Sequence, residues 1–221
     1  MNDAKQPDFP PKLSVLLATV VTRADLFAKL HAHLSAQAQG RSVELVVACD
    51  NKEISIGKKR DNLLRVAAGD YVCFVDDDDW VAPDYVDRIL TALESKPDCV
   101  GFEISCTTNG SRERRAIASM RYPKWVENRD GYSHCRSIYH KTPVRRDLAM
   151  QVGFPDLRYG EDRIYSEGVM RLVKREEFIP AVLYNYRFNS EPFAAKYGFK
   201  RGEMHHAVNR EHVRRKFQGQ P

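Results

Sequence analysis

Between residues 71 and 80 the chain reads Tyr-Val-Cys-Phe-Val-Asp-Asp-Asp-Asp-Trp, four carboxylates in succession behind an apolar run. Adjacent carboxylates repel one another unless cations lie among them. Hard divalent cations prefer oxygen ligands, and Mg²⁺ or Mn²⁺ commonly joins one or two carboxylates to substrate phosphates. Asp76 to Asp79 therefore reads as a metal–phosphate site, with Asp79 also placed to cap the helix that follows. A second acidic pair, Glu161-Asp162, comes directly after Gly160. In the first turn of a helix it favours the helix dipole, and a carboxylate within reach of a hydroxyl can also act as a general base.

The elements that must position these groups follow from periodicity. Leu13 to Ala18, Val43 to Cys49 and Tyr71 to Val75 are short apolar runs without Gly or Pro, as in buried strands. Arg23 to Gln37 and Ile56 to Ala68 carry apolar residues at helical spacing, with Gly69 as the expected C-terminal cap of the second. Strands alternating with helices predict a mostly parallel sheet covered on both faces, with the Asp run at the carboxyl end of a strand, where open α/β sheets bind ligands. Pro83 and Asp84 begin a further helix that runs towards Pro97. Beyond residue 100 the pattern changes: Val100 to Thr107, Asn109-Gly110 and Arg112 to Met120 predict a β-hairpin. A strand over Gly131 to Tyr139, helices over Pro143 to Val152 and from Gly160 to about Val173, and a last strand over Phe178 to Phe188 complete the expectation.

Gly69-Asp-Tyr-Val-Cys-Phe-Val-Asp-Asp-Asp-Asp79 resembles the strand and Asp-X-Asp signature of family 2 glycosyltransferases with the GT-A fold. Ser14 to Thr19 resembles the first strand of that family and Val46 to Asp50 its second. Gly57-Lys-Lys-Arg-Asp61, Gly153-Phe154 with Gly160-Glu-Asp162, and Tyr184 to Ser190 stand where the family has its donor-side helix, its acidic pair and its closing strand. Ala18-Thr-Val-Val21 and Arg60-Asp61 depart from the family's usual Pro-Thr-Tyr-Asn and Arg-Asn, and no His follows the closing strand.

The resemblance implies an α/β GT-A fold: a Rossmann-like, mostly parallel sheet flanked by helices, with a small hairpin and a basic C-terminal helix. The pattern along the chain reads residues 13–100 as a nucleotide-binding half and 101–190 as an acceptor half, the polar, proline-bearing 1–12 as a disordered lead-in and 191–221 as a basic extension. The implied activity is inverting transfer of a sugar from a nucleotide donor, a UDP-sugar first, to an acceptor hydroxyl, with Mn²⁺ or Mg²⁺ as cofactor. Thr19, Asp50, Lys58, Arg60, Asp76 and Asp77 are then donor-side residues. Asp78, with Asp76, serves the metal; Asp162, beside Glu161, is the base; and Trp125, His134 and Arg187 are acceptor-side candidates.

Composition fits a folded chain, with 43% hydrophobic and 29% charged residues. The five cysteines include no Cys-X-X-Cys and read as buried free thiols, and no run reaches the roughly 20 apolar residues of a membrane span. A cytoplasmic protein is the expectation. The net charge of +5 resides in the segment from Lys196 onward, with seven Lys or Arg against two Glu. That tail suggests phosphates or acidic lipid headgroups as partners and, together with the carboxylates, a hydroxylated base in DNA as acceptor; a glycan or lipid-linked glycan is the more ordinary acceptor. A non-enzymatic nucleic-acid-binding module is the alternative from another class, and it leaves the Asp run without a role. The P-loop pattern is absent, as is the Asp-X-Asp-X-Thr/Val of aspartyl phosphatases, because Trp80 stands at its final position.

Overall fold

A computed structural model describes residues 10–188. Most of the expected lead-in, the loop residues Asn189 and Ser190, and the expected basic helix lie outside them. Strands β1 (Leu13–Val20), β2 (Val43–Asp50) and β3 (Tyr71–Phe74) are parallel, in the order β2-β1-β3. The helices are α1 (Ala24–Ala38), entered through a 3-10 turn at Val21–Arg23, α2 (Ile56–Val66), α3 (Tyr85–Leu93), α4 (Arg146–Val152) and α5 (Glu161–Val169). The remaining strands are β4 (Trp80–Val81), β5 (Cys99–Thr108), β6 (Ser111–Ala118), β7 (Val126–Arg129), β8 (Tyr132–Arg136), β9 (Val144–Arg145) and β10 (Glu176–Phe188). The sheet continues β3-β9-β5-β6-β8-β7, with β10 parallel to β5 and the short β4 antiparallel to β10.

Alternation along β1 explains the two-sided core. Leu13, Val15 and Leu17 pack with Leu30 and Leu34 of α1 and Tyr85 and Ile89 of α3. Leu16 faces the other way, towards Leu63 and Leu64 of α2, Leu148 of α4 and Tyr165 of α5. All four β1 side chains are fully buried, as a strand covered on both faces requires. At ~25 cal/mol per Å² of apolar surface, each contributes about 1.5–3 kcal/mol.

Several expectations are corrected. The run Val43 to Cys49 forms a strand at the sheet edge rather than a buried one, so Val47 is 40% exposed. Gly69 does not cap α2, which ends two residues earlier with Ala67 at its C-terminus. Its role is close approach: a Cβ there would stand 2.6 Å from Ser14 Oγ and 2.7 Å from Ser14 N. Asp79 caps no helix. The α3 N-terminus is served from another element, with Gln37 Oε1 of α1 accepting the Val86 N–H at 3.1 Å. Residues 144–145, expected as helix, form β9, a two-residue bridge antiparallel to both β3 and β5. Strands β7 and β4 were not foreseen. Asn109 and Gly110, with φ of 50° and 70°, make the expected hairpin turn between β5 and β6.

Candidate functional site

The carboxyl ends of β1 and β3 and the start of α2 surround a cavity of about 310 Å³. Ala18, Thr19, Val20, Arg23, Lys52, Ile56, Lys59, Arg60 and Asp76 to Asp78 line it. Local rules set α2 in place. Ser55 Oγ accepts the Lys58 N–H at 3.0 Å as an N-cap, and donates to Asp156 Oδ1 at 2.5 Å. Gly57 lets this helix end meet the 155–157 loop: its N–H donates to Leu157 O at 3.0 Å, and a Cβ would lie 2.0 Å from Pro155 O. Asp61 Oδ1 accepts the Phe154 N–H at 3.2 Å, tying the helix to the loop that leads to α5.

Each member of the Asp run has a different environment. Asp77 is buried, accepting from Thr19 Oγ1 at 2.7 Å and Arg23 Nη1 at 2.5 Å. Asp76 meets Arg60 Nη2 at 2.8 Å and Lys141 Nζ at 2.9 Å. Burial opposes its ionisation, but Lys141 and Arg60 outweigh that and hold its pKa well below the carboxylate range. Asp79 is fully enclosed, accepting from Lys141 Nζ at 2.5 Å, Tyr184 Oη at 2.8 Å and the Arg187 N–H at 2.8 Å. Asp78 stands apart, with its side chain 45% exposed at the cavity and Arg23 Nη1 3.1 Å away. Burial, then the neighbouring Asp79 and Asp76, push its carboxyl up to about 6.

Arg60 joins the two acidic motifs. Its Nη1 donates to Glu161 Oε1 at 2.5 Å at the start of α5, while Nη2 holds Asp76. Glu161 is buried, so this pair fixes α5 to the donor side; removing one member of such a pair costs about 3–5 kcal/mol. Asp162 is half-buried in the same first turn, near enough for its charge to act on Arg60 and His140. His140 is buried, with Nε2 3.5 Å from Asp76 Oδ2; burial, then Arg60, hold its pKa down to about 4, so it is neutral near pH 7.

The structure brings Thr19, Arg60, Asp76, Asp77 and Asp78 to one cavity wall, as expected. Asp50 joins them indirectly, paired with Lys59 Nζ, which also donates to Thr19 O at 2.7 Å. Lys58 is not part of the cavity: it is exposed, and the buried Lys59 takes its place. The three acceptor-side candidates do not line the cavity. Arg187 lays its guanidinium 5.3 Å from the Trp80 ring centroid. His134 and Trp125 belong to the β6–β8 region, His134 paired with Glu127 and Trp125 Nε1 donating to Ser137 Oγ at 3.1 Å.

Sequence reasoning missed Arg23, Lys59 and Lys141. The charge balance of four adjacent carboxylates demanded cations, but no local pattern pointed to which ones. Lys141 is the most consequential. It is buried between Asp76 and Asp79, with its Nζ 4.6 Å from the Tyr184 ring centroid. Burial disfavours its charge, yet the two carboxylates keep its pKa well above the lysine value. Among the described residues no group of three or more His, Cys, Asp or Glu is arranged to hold a metal alone.

A mostly parallel sheet flanked by helices, with a polar cavity at its carboxyl edge, is the architecture of GT-A glycosyltransferases. The solved structures agree. Staphylococcus aureus TarS 1–349 in complex with UDP-GlcNAc superposes with a TM-score of 0.58 at 15% identity, over 80% of this chain and 58% of that one. The mannosyltransferase PcManGT of Pyrobaculum calidifontis, in complex with GDP-Man and Mn²⁺, gives 0.51 at 17% identity, over 81% and 58%. EpsH of Bacillus subtilis (strain 168), whose name describes it as a glycosyltransferase, is 22% identical over 156 residues, 64% of this chain and 44% of EpsH. The chain thus spans less than two thirds of the length of these relatives. The sequence model of glycosyl transferase family 2 matches residues 35–153, and the chain belongs to that family.

Proposed function

We propose that this protein is an inverting glycosyltransferase that uses a nucleotide-sugar donor and a divalent cation. The observation that carries the reading is the cavity in which Thr19, Lys59, Arg60 and the Asp run converge, with Asp162 at the helix end that Arg60 binds. UDP and GDP-mannose in the related structures support a nucleoside diphosphate as the handle of the donor. Lys59, held from behind by Asp50, would serve the base-side end of the cavity and Asp76 to Asp78 the diphosphate end, with a UDP-sugar as first candidate.

The donor set fits a cation of the Mn²⁺ or Mg²⁺ kind. Asp78 faces the cavity, its half-exposed carboxylate met only by the half-exposed Arg23 at 3.1 Å among the described residues, and Asp76 lines the same cavity. Because no three-carboxylate cage exists among the described residues, the cation would be shared with the donor's phosphates. Once bound, it supplies positive charge for the leaving nucleoside diphosphate. Arg60 and Lys59 contribute fixed charge in the same cavity. Asp162 takes the proton from the acceptor hydroxyl as its oxygen attacks the anomeric carbon. The sugar–phosphate bond breaks on the opposite side, so a single displacement inverts that centre. A positioned base of this kind contributes about 10²–10⁴-fold.

Incubation with a panel of UDP-, GDP-, CDP-, ADP- and TDP-sugars, with Mn²⁺ or EDTA, tests the reading through released nucleoside diphosphate. Turnover of one donor class, lost with EDTA, is the expected result. A protein that neither binds nor consumes any member of the panel refutes it.

A further inference from the structure

Beside the cavity, β5, β6, β8 and β10 present a second surface that the donor reading leaves without a role. The registers pair Cys106 with both Arg114 and Tyr186, Ala116 with His134, and Ala118 with Arg136. Directly paired residues share a face, so Tyr186, Arg114, His134 and Arg136 project to one side. Trp125 joins them, with Arg136 4.9 Å from its ring centroid.

Two properties of this face point to a ligand. It carries aromatic surface in water: Trp125 is 37% and Tyr186 38% exposed. It also carries unpaired positive charge. Arg136 pairs with Glu127, whereas Arg114 has no carboxylate partner among the described residues. Arg114 on this face, and Arg112 and Lys124 in the segments adjoining it in sequence, are exposed, and among the described residues none lies within ion-pair distance of a carboxylate. Arg114 is held by one long bond, from Nη2 to Thr108 Oγ1 at 3.4 Å. The face runs into the site: Lys141 Nζ lies 4.5 Å from the Tyr186 ring centroid, and Tyr139 bridges Trp125 and His140 by edge contacts at 6.1 and 5.0 Å.

We infer that this face seats the acceptor, and that the acceptor is an acidic saccharide, its sugar rings on Trp125 and Tyr186 and its acid group on Arg114. The inference rests on the glycosyltransferase reading and adds the class of substrate. The neighbouring Asp run would repel an anionic chain in solution, and the exposed guanidiniums supply the compensating attraction. Either a uronate carboxylate or a phosphodiester satisfies Arg114, since both offer paired oxygens to a guanidinium.

The test is calorimetric binding of three probes to the full chain with UDP and Mn²⁺ present: hexagalacturonate, a phosphodiester-linked oligosaccharide, and neutral maltohexaose. Either acidic probe should bind about tenfold or more tightly than maltohexaose, the scale of one charge-assisted hydrogen bond. Arg114→Gln should remove most of that preference, and Trp125→Ala should weaken acidic and neutral saccharides alike. Lys29→Gln, an exposed change on α1, should alter neither. Which acidic probe binds better identifies the anion. Equal affinity for all three probes, or a preference that survives Arg114→Gln, overturns the inference. So does tighter, Arg114-dependent binding of a duplex oligonucleotide. UDP binding with no acid preference removes this inference alone and leaves the donor reading intact. Acid preference in a protein that binds no nucleotide removes the acceptor role.

Discussion

In the cavity at the ends of β1 and β3, Asp76, Asp77 and Asp79 each meet a guanidinium or ammonium group within 3 Å. On the β6–β8 face Arg114, and beside it in sequence Arg112 and Lys124, are exposed and have no such partner among the described residues. Buried pairs are costly to rearrange, because separating them strands a charge away from water. The cavity, read as the donor site, is thus built in advance, its acidic groups held by cations of the chain itself. Exposed charges are weakly held and screened by salt over about 8–10 Å, so an acceptor on the second face, as proposed, would bind in a way that responds to ionic strength. The contrast matches the division of work in a transferase, where one site must hold a leaving group in a fixed geometry and the other must accept a larger partner.

The comparison can be broken first at Asp162. Asp162→Asn should lower kcat by about 10²–10⁴-fold while leaving nucleotide affinity nearly unchanged; near wild-type turnover would show that the base lies elsewhere. Second is Lys141→Met, which leaves Asp76 and Asp79 without their shared cation. A loss of about 3 kcal/mol or more is expected from denaturant titration, whereas Arg114→Gln on the exposed face should stay within about 0.5 kcal/mol. Third, Lys59→Met should weaken UDP about tenfold by calorimetry, and Lys58→Met should not change it.

The smallest effect concerns pH. The carboxyl of Asp78 is raised from 3.8 to about 6 on folding, so its ionisation opposes the folded state. That penalty is absent below the unfolded value and grows as pH rises through 4 to 6. Asp78→Asn should therefore stabilise the ligand-free protein at pH 7 but not at pH 4. The gain should be about 1 kcal/mol, a few degrees in Tm, because the half-exposed group is screened by water. Equal Tm changes at both pH values would contradict the environment assigned to Asp78.

What the sequence made legible was local. The apolar runs of β1 and β3, the hairpin at Asn109-Gly110 and the Asp run behind a strand are contiguous patterns, and the structure has them. The remainder depends on distant partners. Asp79 has the sequence position of a helix cap, but Lys141 and Tyr184, from other strands and loops, draw it inward. Lys58 and Lys59 cannot be told apart by composition; one residue is a 100° turn of helix, and only the packing of α2 decides which faces the cavity. β9 is two residues long and exists because β3 and β5 need a bridge, which no local propensity encodes. Glu161, a catalytic candidate beside Asp162, lies in an ion pair with Arg60, a partner that no local pattern names.

The most direct test of the donor cavity is calorimetric titration of the purified protein with UDP, with and without Mn²⁺, in the wild type and in Asp78→Ala. The account predicts saturable binding that Mn²⁺ strengthens in the wild type and leaves unchanged in the variant. Binding that is absent in both proteins, or equally metal-responsive in both, contradicts it.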